Sequence, residues 1–177
     1  RATAKLEDKH THCDMQLEPV DKDHTPKGWT PGVDAEVHLP ATGVDMHDAV
    51  AYCAWRGGTL IDPESFAAAA RGRLGFEYPW GKGAPTLGFV NAGGLLGGVA
   101  PSGCFPGGAG EGGSLDLLGS VEEWTTQVDG GRSALYGGHY DTALDQVSVS
   151  ASGDAALDER RATLGFRLLR FVKAPAR

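Results

Sequence analysis

Two stretches in the first half of the chain have the hydrophobic spacing of short amphipathic helices. The first runs from about Asp45 to Trp55, where apolar residues recur at helical intervals, at Ala49, Val50, Cys53 and Ala54. Asp45 is a suitable N-cap residue, and Gly57-Gly58 provides the stop. We therefore predict a helix here, with Cys53 on its buried face as a small hydrophobic residue.

The second helix is indicated by three successive start signals. A capping residue, a proline at the first helical position and an acid in the first turn follow one another in Asp62-Pro63-Glu64. Phe66, Ala67 and Ala70 form the predicted buried side. This pattern predicts a helix of about two turns that ends near Arg73.

The second half of the chain is rich in glycine and has little regular spacing. Residues 82–113 carry almost no helix or strand signal, so they are held either by a cation or only by Phe89, Leu95 and Phe105. Segments 132–136, 147–150 and 163–170 then show strand-like patterns. Two helices followed by short antiparallel strands and much irregular loop predict an α+β fold.

The segment from Gly113 to Trp124 is expected to organise the domain. Its apolar residues are interrupted at Gly119 and Ser120, where the backbone must turn, and two carboxylates then precede Trp124. We predict a packed turn in which Trp124 anchors the core. Glu123 is expected to act there as a structural ligand or a hydrogen-bond acceptor.

The bulk composition limits the class of protein. A chain of 177 residues with 41% hydrophobic residues suits one globular domain, and its 27 glycines imply many turns. The formal net charge of -7 argues against general binding to nucleic acids or acidic membranes. No apolar run is long enough to span a membrane and no signal peptide is visible, which favours the cytoplasm. Cys13, Cys53 and Cys104 cannot all pair within one chain, so a reduced state and one bridge with a free thiol both stay open.

A pair of histidines near the N-terminus offers a separate metal hypothesis. On a strand, His10 and His12 would lie on one face, which suits copper or zinc. A second spaced pair of ligands is missing from the sequence. An exposed polar segment is therefore the favoured interpretation.

Taken in order, the motifs resemble the formylglycine-generating-enzyme (sulfatase-modifying-factor) family, a variant of the C-type lectin fold. The matching segments are Asp48–Trp55, Leu60–Gly72, Tyr78–Gly81, Ser114–Trp124, Tyr136–Tyr140 and Gly165–Arg167. Their order and spacing carry the resemblance, since no single motif is decisive. The resemblance implies a formylglycine-generating-enzyme-like domain over residues 41–172, a divergent or truncated N-terminal segment over 1–40 and a tail over 173–177.

The resemblance also implies which chemistry is absent. Members that form formylglycine use two copper-binding cysteines shortly after the strand that matches Tyr136–Tyr140, and this chain has no cysteine beyond Cys104. The related sulfoxide synthases take iron ligands from a separate helical domain, whose ligand motif does not occur in this sequence. Copper and iron are therefore not expected, and neither is formylglycine-generating oxidase activity.

Structural calcium is the cofactor that the resemblance leaves open. The family has an asparagine ligand in the central turn, and this chain has Ser120 in its place. Asn91, Glu123 and the backbone of Gly119 and Val121 still match family calcium ligands. Calcium is thus expected either at lower affinity or not at all.

The favoured hypothesis for function is a non-catalytic module, a pseudoenzyme that binds a small-molecule ligand or a protein. Bacterial members of the family are often parts of larger proteins or assemblies, and some vary their C-terminal region for recognition. The predicted recognition face is a loop of polar and aromatic residues, namely His139, Tyr140, Asp141, Asp145 and Gln146.

Two alternatives belong to other classes. The first is an iron- or copper-dependent oxidoreductase of altered chemistry, in which His139 would act with His10 or His12 and with Asp141. The second is a purely structural domain of a larger assembly. Metal content after purification without a tag discriminates the oxidoreductase from the binding module.

Overall fold

The computed structural model describes residues 22–27 and 38–171 of the chain. In these ranges two helices, α1 (Met46–Trp55) and α2 (Pro63–Arg71), precede most of the strands. The strands are β1 (Thr59–Leu60), β2 (Glu122–Asp129), β3 (Arg132–Tyr136), β4 (Ala151–Ala156), β5 (Leu164–Phe166) and β6 (Leu168–Leu169). No helix within the described ranges is long and apolar enough to cross a membrane. His10, His12 and Cys13 lie outside these ranges.

Both helices begin at the predicted caps. The Asp45 carboxylate accepts a hydrogen bond from the Asp48 amide at 3.0 Å, and the Asp48 carboxylate accepts one from the Asp45 amide at 3.3 Å. This reciprocal capping box satisfies two backbone donors that the first turn leaves unpaired. Asp62 caps α2 by accepting a hydrogen bond from the Ser65 amide at 2.8 Å, without a reciprocal bond. The two predicted helices are confirmed.

The main sheet has four strands in the order β4-β3-β2-β5. The β2–β3 and β3–β4 pairs are antiparallel, whereas β2 and β5 are parallel, with Glu123 opposite Gly165. A second sheet pairs β1 with β6, with Thr59 opposite Leu169. The parallel pair departs from the expected all-antiparallel arrangement, because β5 returns to β2 after a long connection.

Two of the predicted strands need correction. Residues 147–150 form no strand, although Val147 and Val149 are buried as their alternation indicates; the strand is the following segment, β4. Residues 163–170 form two strands rather than one. Arg167 separates them because β5 pairs with the main sheet and β6 with the small sheet.

The core consists of two apolar clusters that share the sheet and the helices. The cluster on α1 surrounds the fully buried Trp124, whose indole N–H donates to the Val44 carbonyl at 3.1 Å. The cluster on α2 surrounds the fully buried Phe66 and takes Val90 from the long loop. Trp124 is therefore a core anchor, as predicted.

Residues 82–113 are held by backbone contacts and by stacked rings. Phe89 stacks on Trp80 with ring centroids 5.2 Å apart, and Trp80 stacks on Tyr78 at 5.1 Å. Gly108 packs so closely that an added Cβ would lie 2.0 Å from the Phe89 carbonyl oxygen. Leu95 is 60% exposed and does not anchor the loop, contrary to the expectation that Phe89, Leu95 and Phe105 would hold it.

Candidate functional site

The central turn joins the two long loops of the domain. Ser120 donates its amide to the Asn91 carbonyl at 2.8 Å, and its own carbonyl accepts the Tyr140 amide at 3.2 Å. Gly119 donates to the Gly137 carbonyl at 2.8 Å. The turn thus fixes the segment around Asn91 and the segment around Tyr140 relative to one another.

Gly119 is the position where this turn requires glycine. Its φ is +69°, and a Cβ there would lie 2.4 Å from the Asn91 carbonyl oxygen and 2.4 Å from a Val90 methyl carbon. An L side chain would therefore meet both backbone strain and a clash. The neighbouring Ser120 also has a positive φ, +59°, which an asparagine or glycine adopts more readily.

Glu123 is the buried acceptor of an ion pair with Arg167. Arg167 Nε and Nη2 donate to the two carboxylate oxygens at 2.6 and 2.5 Å, and Nη2 also donates to the Asp116 carbonyl at 2.8 Å. Burial by itself lowers the pKa of Arg167, but the charge of Glu123 and its hydrogen bonds outweigh burial and raise the pKa above the usual value. Glu123 acts here as a hydrogen-bond acceptor, and its role as a calcium ligand stays a prediction.

A cavity of about 380 Å³ opens beside this ion pair. Its wall includes Asp116 and Ser120, which are the two non-glycine residues with positive φ in the described part of the chain. Phe166 and Leu115 supply apolar surface. Strained backbone at a cavity wall is typical of positions that serve binding rather than stability.

Asn91 carries an unpaired oxygen. Its side chain is 2% exposed and its Nδ2 donates to the Gly98 carbonyl at 3.0 Å, but Oδ1 is buried without a hydrogen-bond partner among the described residues. Such an orphaned acceptor costs free energy unless a water or a cation contacts it. Asn91 also forms an isolated parallel bridge with Gly119, so the structure brings together two of the predicted calcium ligands.

The other predicted calcium ligands are less suited than Asn91 to bind an ion. Val121 lines the cavity beside Ser120, and the Glu123 carboxylate is already bound by Arg167. Over residues 22–27 and 38–171, no three His, Cys, Asp or Glu side chains lie close enough to hold a metal ion together. A calcium ion would therefore depend on amide and backbone oxygens around Asn91.

The predicted recognition residues lie on one loop, residues 138–147, which we call the recognition loop. Backbone hydrogen bonds tie it to the glycine-rich loop: the Gly94 amide donates to the Tyr140 carbonyl at 2.7 Å and the Gly93 amide to the Thr142 carbonyl at 2.8 Å. The Thr142 hydroxyl accepts the His139 amide at 2.9 Å. The loop is therefore held by its backbone, which leaves its side chains available. Asp141, Asp145 and Gln146 are exposed, whereas His139 and Tyr140 are half-buried.

The hydrogen bond of His139 defines its tautomer. The Asp141 backbone amide lies 3.2 Å from His139 Nδ1. Because a backbone amide only donates, Nδ1 accepts and the proton of the neutral ring is on Nε2. In this tautomer the ring offers an N–H donor rather than a second lone pair. A metal at Nε2 would require this hydrogen bond to break.

Sequence reasoning missed two residues that position the site. Thr142 fixes the start of the recognition loop, but a lone threonine in a polar loop gives no signal of that role. Arg167 is the partly buried partner of Glu123, and a signal for it was present. An arginine inside an apolar closing strand requires a carboxylate partner, and the central turn supplies one.

The comparisons with known proteins agree with this architecture. Residues 4–172 match the model of the Sulfatase-modifying factor enzyme 1-like domain. The chain is 41% identical to hercynine oxygenase of Mycolicibacterium thermoresistibile over 92 residues, which cover 49% of this chain and 20% of that protein. It is 37% identical to the inactive C-alpha-formylglycine-generating enzyme 2 of Mus musculus over 115 residues, which cover 58% of this chain and 37% of that protein.

Solved structures show the same fold. PvdO from Pseudomonas aeruginosa superimposes with a TM-score of 0.61 at 20% identity, over 73% of this chain and 60% of that structure. This likeness confirms the predicted α+β fold class. The aligned parts of the two curated relatives amount to only 20% and 37% of their lengths, so their activities do not transfer to this chain as findings.

Proposed function

The chain belongs to the Sulfatase-modifying factor enzyme 1-like domain family, and from that premise we propose that it is a non-catalytic binding module. The module binds a small molecule or a protein through the recognition loop. It serves as one part of a larger protein or assembly.

One observation carries the proposal: His139 Nδ1 accepts the amide of Asp141. The ring is thereby committed to the tautomer that donates from Nε2, which suits recognition of an acceptor and opposes metal ligation. The sequence has no cysteine beyond Cys104, so the loop also has no thiolate to hold copper. The name of the mouse relative describes that protein as inactive, which agrees with this proposal.

The exposed groups of the loop define the chemistry of its ligand. Asp141 and Asp145 provide two carboxylates, Gln146 provides an amide, and His139 provides one N–H donor. Acceptors outnumber donors in this set. A ligand with ammonium, guanidinium or several N–H groups is therefore the best match.

The oxidoreductase is the alternative, and the name of hercynine oxygenase keeps it open. It requires His139 Nε2 to ligate iron or copper, with a proton moved to Nδ1. The Asp141 amide would then face a second donor and lose its acceptor.

Metal analysis and ring NMR of the untagged protein test the proposal together. We expect no stoichiometric copper or iron by mass spectrometry, and a proton on His139 Nε2 by nitrogen-resolved NMR at neutral pH. His139→Ala serves as the matched variant. Stoichiometric copper or iron that disappears in His139→Ala would contradict the binding module, and so would a ring protonated at Nδ1 alone.

Binding itself is tested on the loop surface. A photoreactive amino acid in place of Gln146 should crosslink to the ligand or partner protein in cells that make the protein. The same amino acid at Asp158, exposed in the turn after β4, is the control. Equal crosslinking from both positions would argue against a dedicated recognition loop.

A further inference from the structure

The C-terminal end of α1 presents a cluster of aromatic rings around an arginine, well outside the recognition loop in sequence. We call Tyr52, Trp55, Arg56 and Phe166 the aromatic–arginine platform. Trp55 is 76% exposed and Tyr52 is 43% exposed, which is unusual for such large rings. The Phe166 ring meets Tyr52 edge-on with centroids 5.5 Å apart. The platform is therefore a continuous apolar surface rather than one stray side chain.

The side chains of the platform hold one another in place. Arg56 Nη1 donates to the Tyr52 hydroxyl at 3.2 Å, and the guanidinium carbon lies 5.8 Å and 5.7 Å from the ring centroids of Tyr52 and Trp55. The Tyr52 and Trp55 centroids are 5.7 Å apart. Because these contacts already restrict the rotamers of the platform, its side chains would lose little further entropy when a partner binds.

Unlike most of the described arginines of this acidic chain, Arg56 has no carboxylate partner among the described residues. Five described arginines pair with carboxylates, namely Arg73, Arg132, Arg160, Arg161 and Arg167. Arg56 lies over two rings instead, and no carboxylate pairs with it within the described ranges. In a chain of net charge -7, an unpaired guanidinium on an exposed apolar surface is a distinct feature.

A second free arginine lies in the same region. In the β1–β6 pair, Thr59 is opposite Leu169, so the antiparallel register carries Arg170 toward Gly58 at the end of α1. Gly58 itself lies close to β6, since a Cβ there would be 2.5 Å from the Leu169 carbonyl oxygen. Arg170 is exposed and has no carboxylate partner in the part of the chain that the structure describes.

We propose that the platform docks an acidic, amphipathic segment of a partner protein. Apolar side chains of the segment cover Trp55 and Tyr52, and its carboxylates pair with Arg56 and Arg170. Tryptophan, tyrosine and arginine are the residue types that dominate binding energy at protein interfaces. Burial beneath a partner removes the guanidinium groups from competing water, which strengthens their pairs with carboxylates.

The charge pattern favours a protein segment over a polyanion. Nucleic acids and anionic membranes attract surfaces with many cations, because each cation contributes only a little. The platform and the neighbouring Arg170 together offer only two guanidinium groups, on a chain that is acidic overall. A protein segment that offers a few carboxylates next to apolar side chains matches this surface better.

A charge-swap experiment tests this proposal. The probes are a short amphipathic peptide of leucine and glutamate and the same peptide with lysine in place of glutamate. We expect the glutamate peptide to bind and the lysine peptide to bind at least ~10-fold more weakly. Arg56→Glu combined with Arg170→Glu should reverse this preference. Trp55→Ala should weaken the binding of the glutamate peptide by ~10-fold or more, as for an interface hot spot.

Matched variants away from the platform provide the controls. Lys82→Glu changes an exposed charge and Leu74→Ala removes an exposed apolar side chain, and both should leave binding within ~2-fold. Equal binding of the two peptides would overturn the proposal. So would binding to anionic vesicles in preference to the peptide, or a dimer in solution that Trp55→Ala dissociates. A photocrosslink from position 55 to residues 1–21 of the same chain would also overturn it.

Discussion

Arg167 and Glu123 form a two-point ion pair across the main sheet, with nitrogen–oxygen distances of 2.6 and 2.5 Å. Glu123 is the second residue of β2 and lies opposite Gly165 of the parallel strand β5, and Arg167 follows β5 directly. The pair therefore fastens the end of the chain to the central turn. The Glu123 side chain is 5% exposed, so the carboxylate depends on this arginine.

Removal of this arginine should be among the most damaging single changes in the domain. Arg167→Ala leaves the Glu123 carboxylate buried without a counter-charge, and we expect a loss of about 3 kcal/mol in the free energy of unfolding. Urea denaturation measures it. Arg73→Ala is the control, because the Arg73–Glu111 pair is largely exposed and should contribute less than about 1 kcal/mol. Similar losses of unfolding free energy in both variants would show that the Arg167–Glu123 pair stabilises the fold no more than an exposed ion pair does.

The cap of α1 is a second buried charge cluster. Asp45 is fully buried and pairs with Lys22, while Arg160 Nε donates to the same carboxylate at 3.2 Å. Arg160 Nη2 also donates to Asp48 at 2.5 Å, and His24 contacts Asp48. The cluster attaches residues 22–27 and the loop after β4 to the start of α1.

This cluster predicts acid sensitivity. Burial by itself raises the pKa of Asp45, but hydrogen bonds from Lys22, the Asp48 amide and Arg160, with the charge of Lys22, outweigh burial and lower the pKa below its usual 3.8. A pKa lowered in the folded state stabilises the fold above the unfolded value, and that stability is lost as pH falls through the folded pKa.

Comparison with Asp45→Asn isolates this effect. Asparagine still caps the helix but carries no charge. At pH 7 the wild type should unfold at higher temperature than Asp45→Asn, and the difference should shrink below about pH 4. Thermal unfolding followed by circular dichroism from pH 7 to pH 2 measures it. A difference that stays constant over this range would assign the role to packing rather than charge.

Gly119→Ala should destabilise the central turn strongly. The new Cβ would overlap the Asn91 carbonyl oxygen at 2.4 Å and adopt a φ of +69°, so we expect a loss of about 3 kcal/mol or more. Gly130→Ala is the matched control. Gly130 has a φ of +55° with open space around it, so only backbone strain of about 1 kcal/mol applies. Chemical denaturation of both variants should separate the clash from the strain.

The two described cysteines should differ sharply in reactivity. Burial raises the pKa of the Cys53 thiol to about 11, whereas Cys104 is exposed. Since the thiolate is the reactive form, iodoacetamide at pH 8 should modify Cys53 at least about 100-fold more slowly than Cys104. Peptide mass spectrometry measures both rates, and urea should abolish the difference. Rapid modification of Cys53 in the folded protein would contradict its place in the core.

Because Asn91 Oδ1 is buried without a partner among the described residues, we expect calcium to stabilise the fold through Asn91. A concentration 100-fold above the dissociation constant adds about 2.7 kcal/mol to the free energy of unfolding. Thermal unfolding with and without calcium chloride measures it. Asn91→Ala removes the unpaired Oδ1 and should abolish the response, whereas Asp145→Ala in the recognition loop should keep it. No response in the wild type would contradict this prediction.

The elements that could be predicted from the sequence are those whose signals are local. Asp45 and Asp62 predicted the starts of the two helices, because a capping side chain acts on amides within three residues. The order of the short motifs also identified the family, and Trp124 as a core anchor. Strand 132–136 was predicted with its observed bounds, since tight glycine turns flank it.

Contacts between distant segments could be read only from the folded chain. The split of residues 163–170 depends on two different sheets, and the partner of Glu123 lies 44 positions away. The tautomer of His139 depends on a backbone amide whose direction no sequence pattern reports. The exposure of Trp55 likewise depends on packing. Helical spacing places this residue between the buried and the exposed face of α1, and only the position of the neighbouring strands decides on which face it lies. Local propensity acts over a few residues, whereas ion pairs, burial and proton positions depend on which distant residues the fold places in contact.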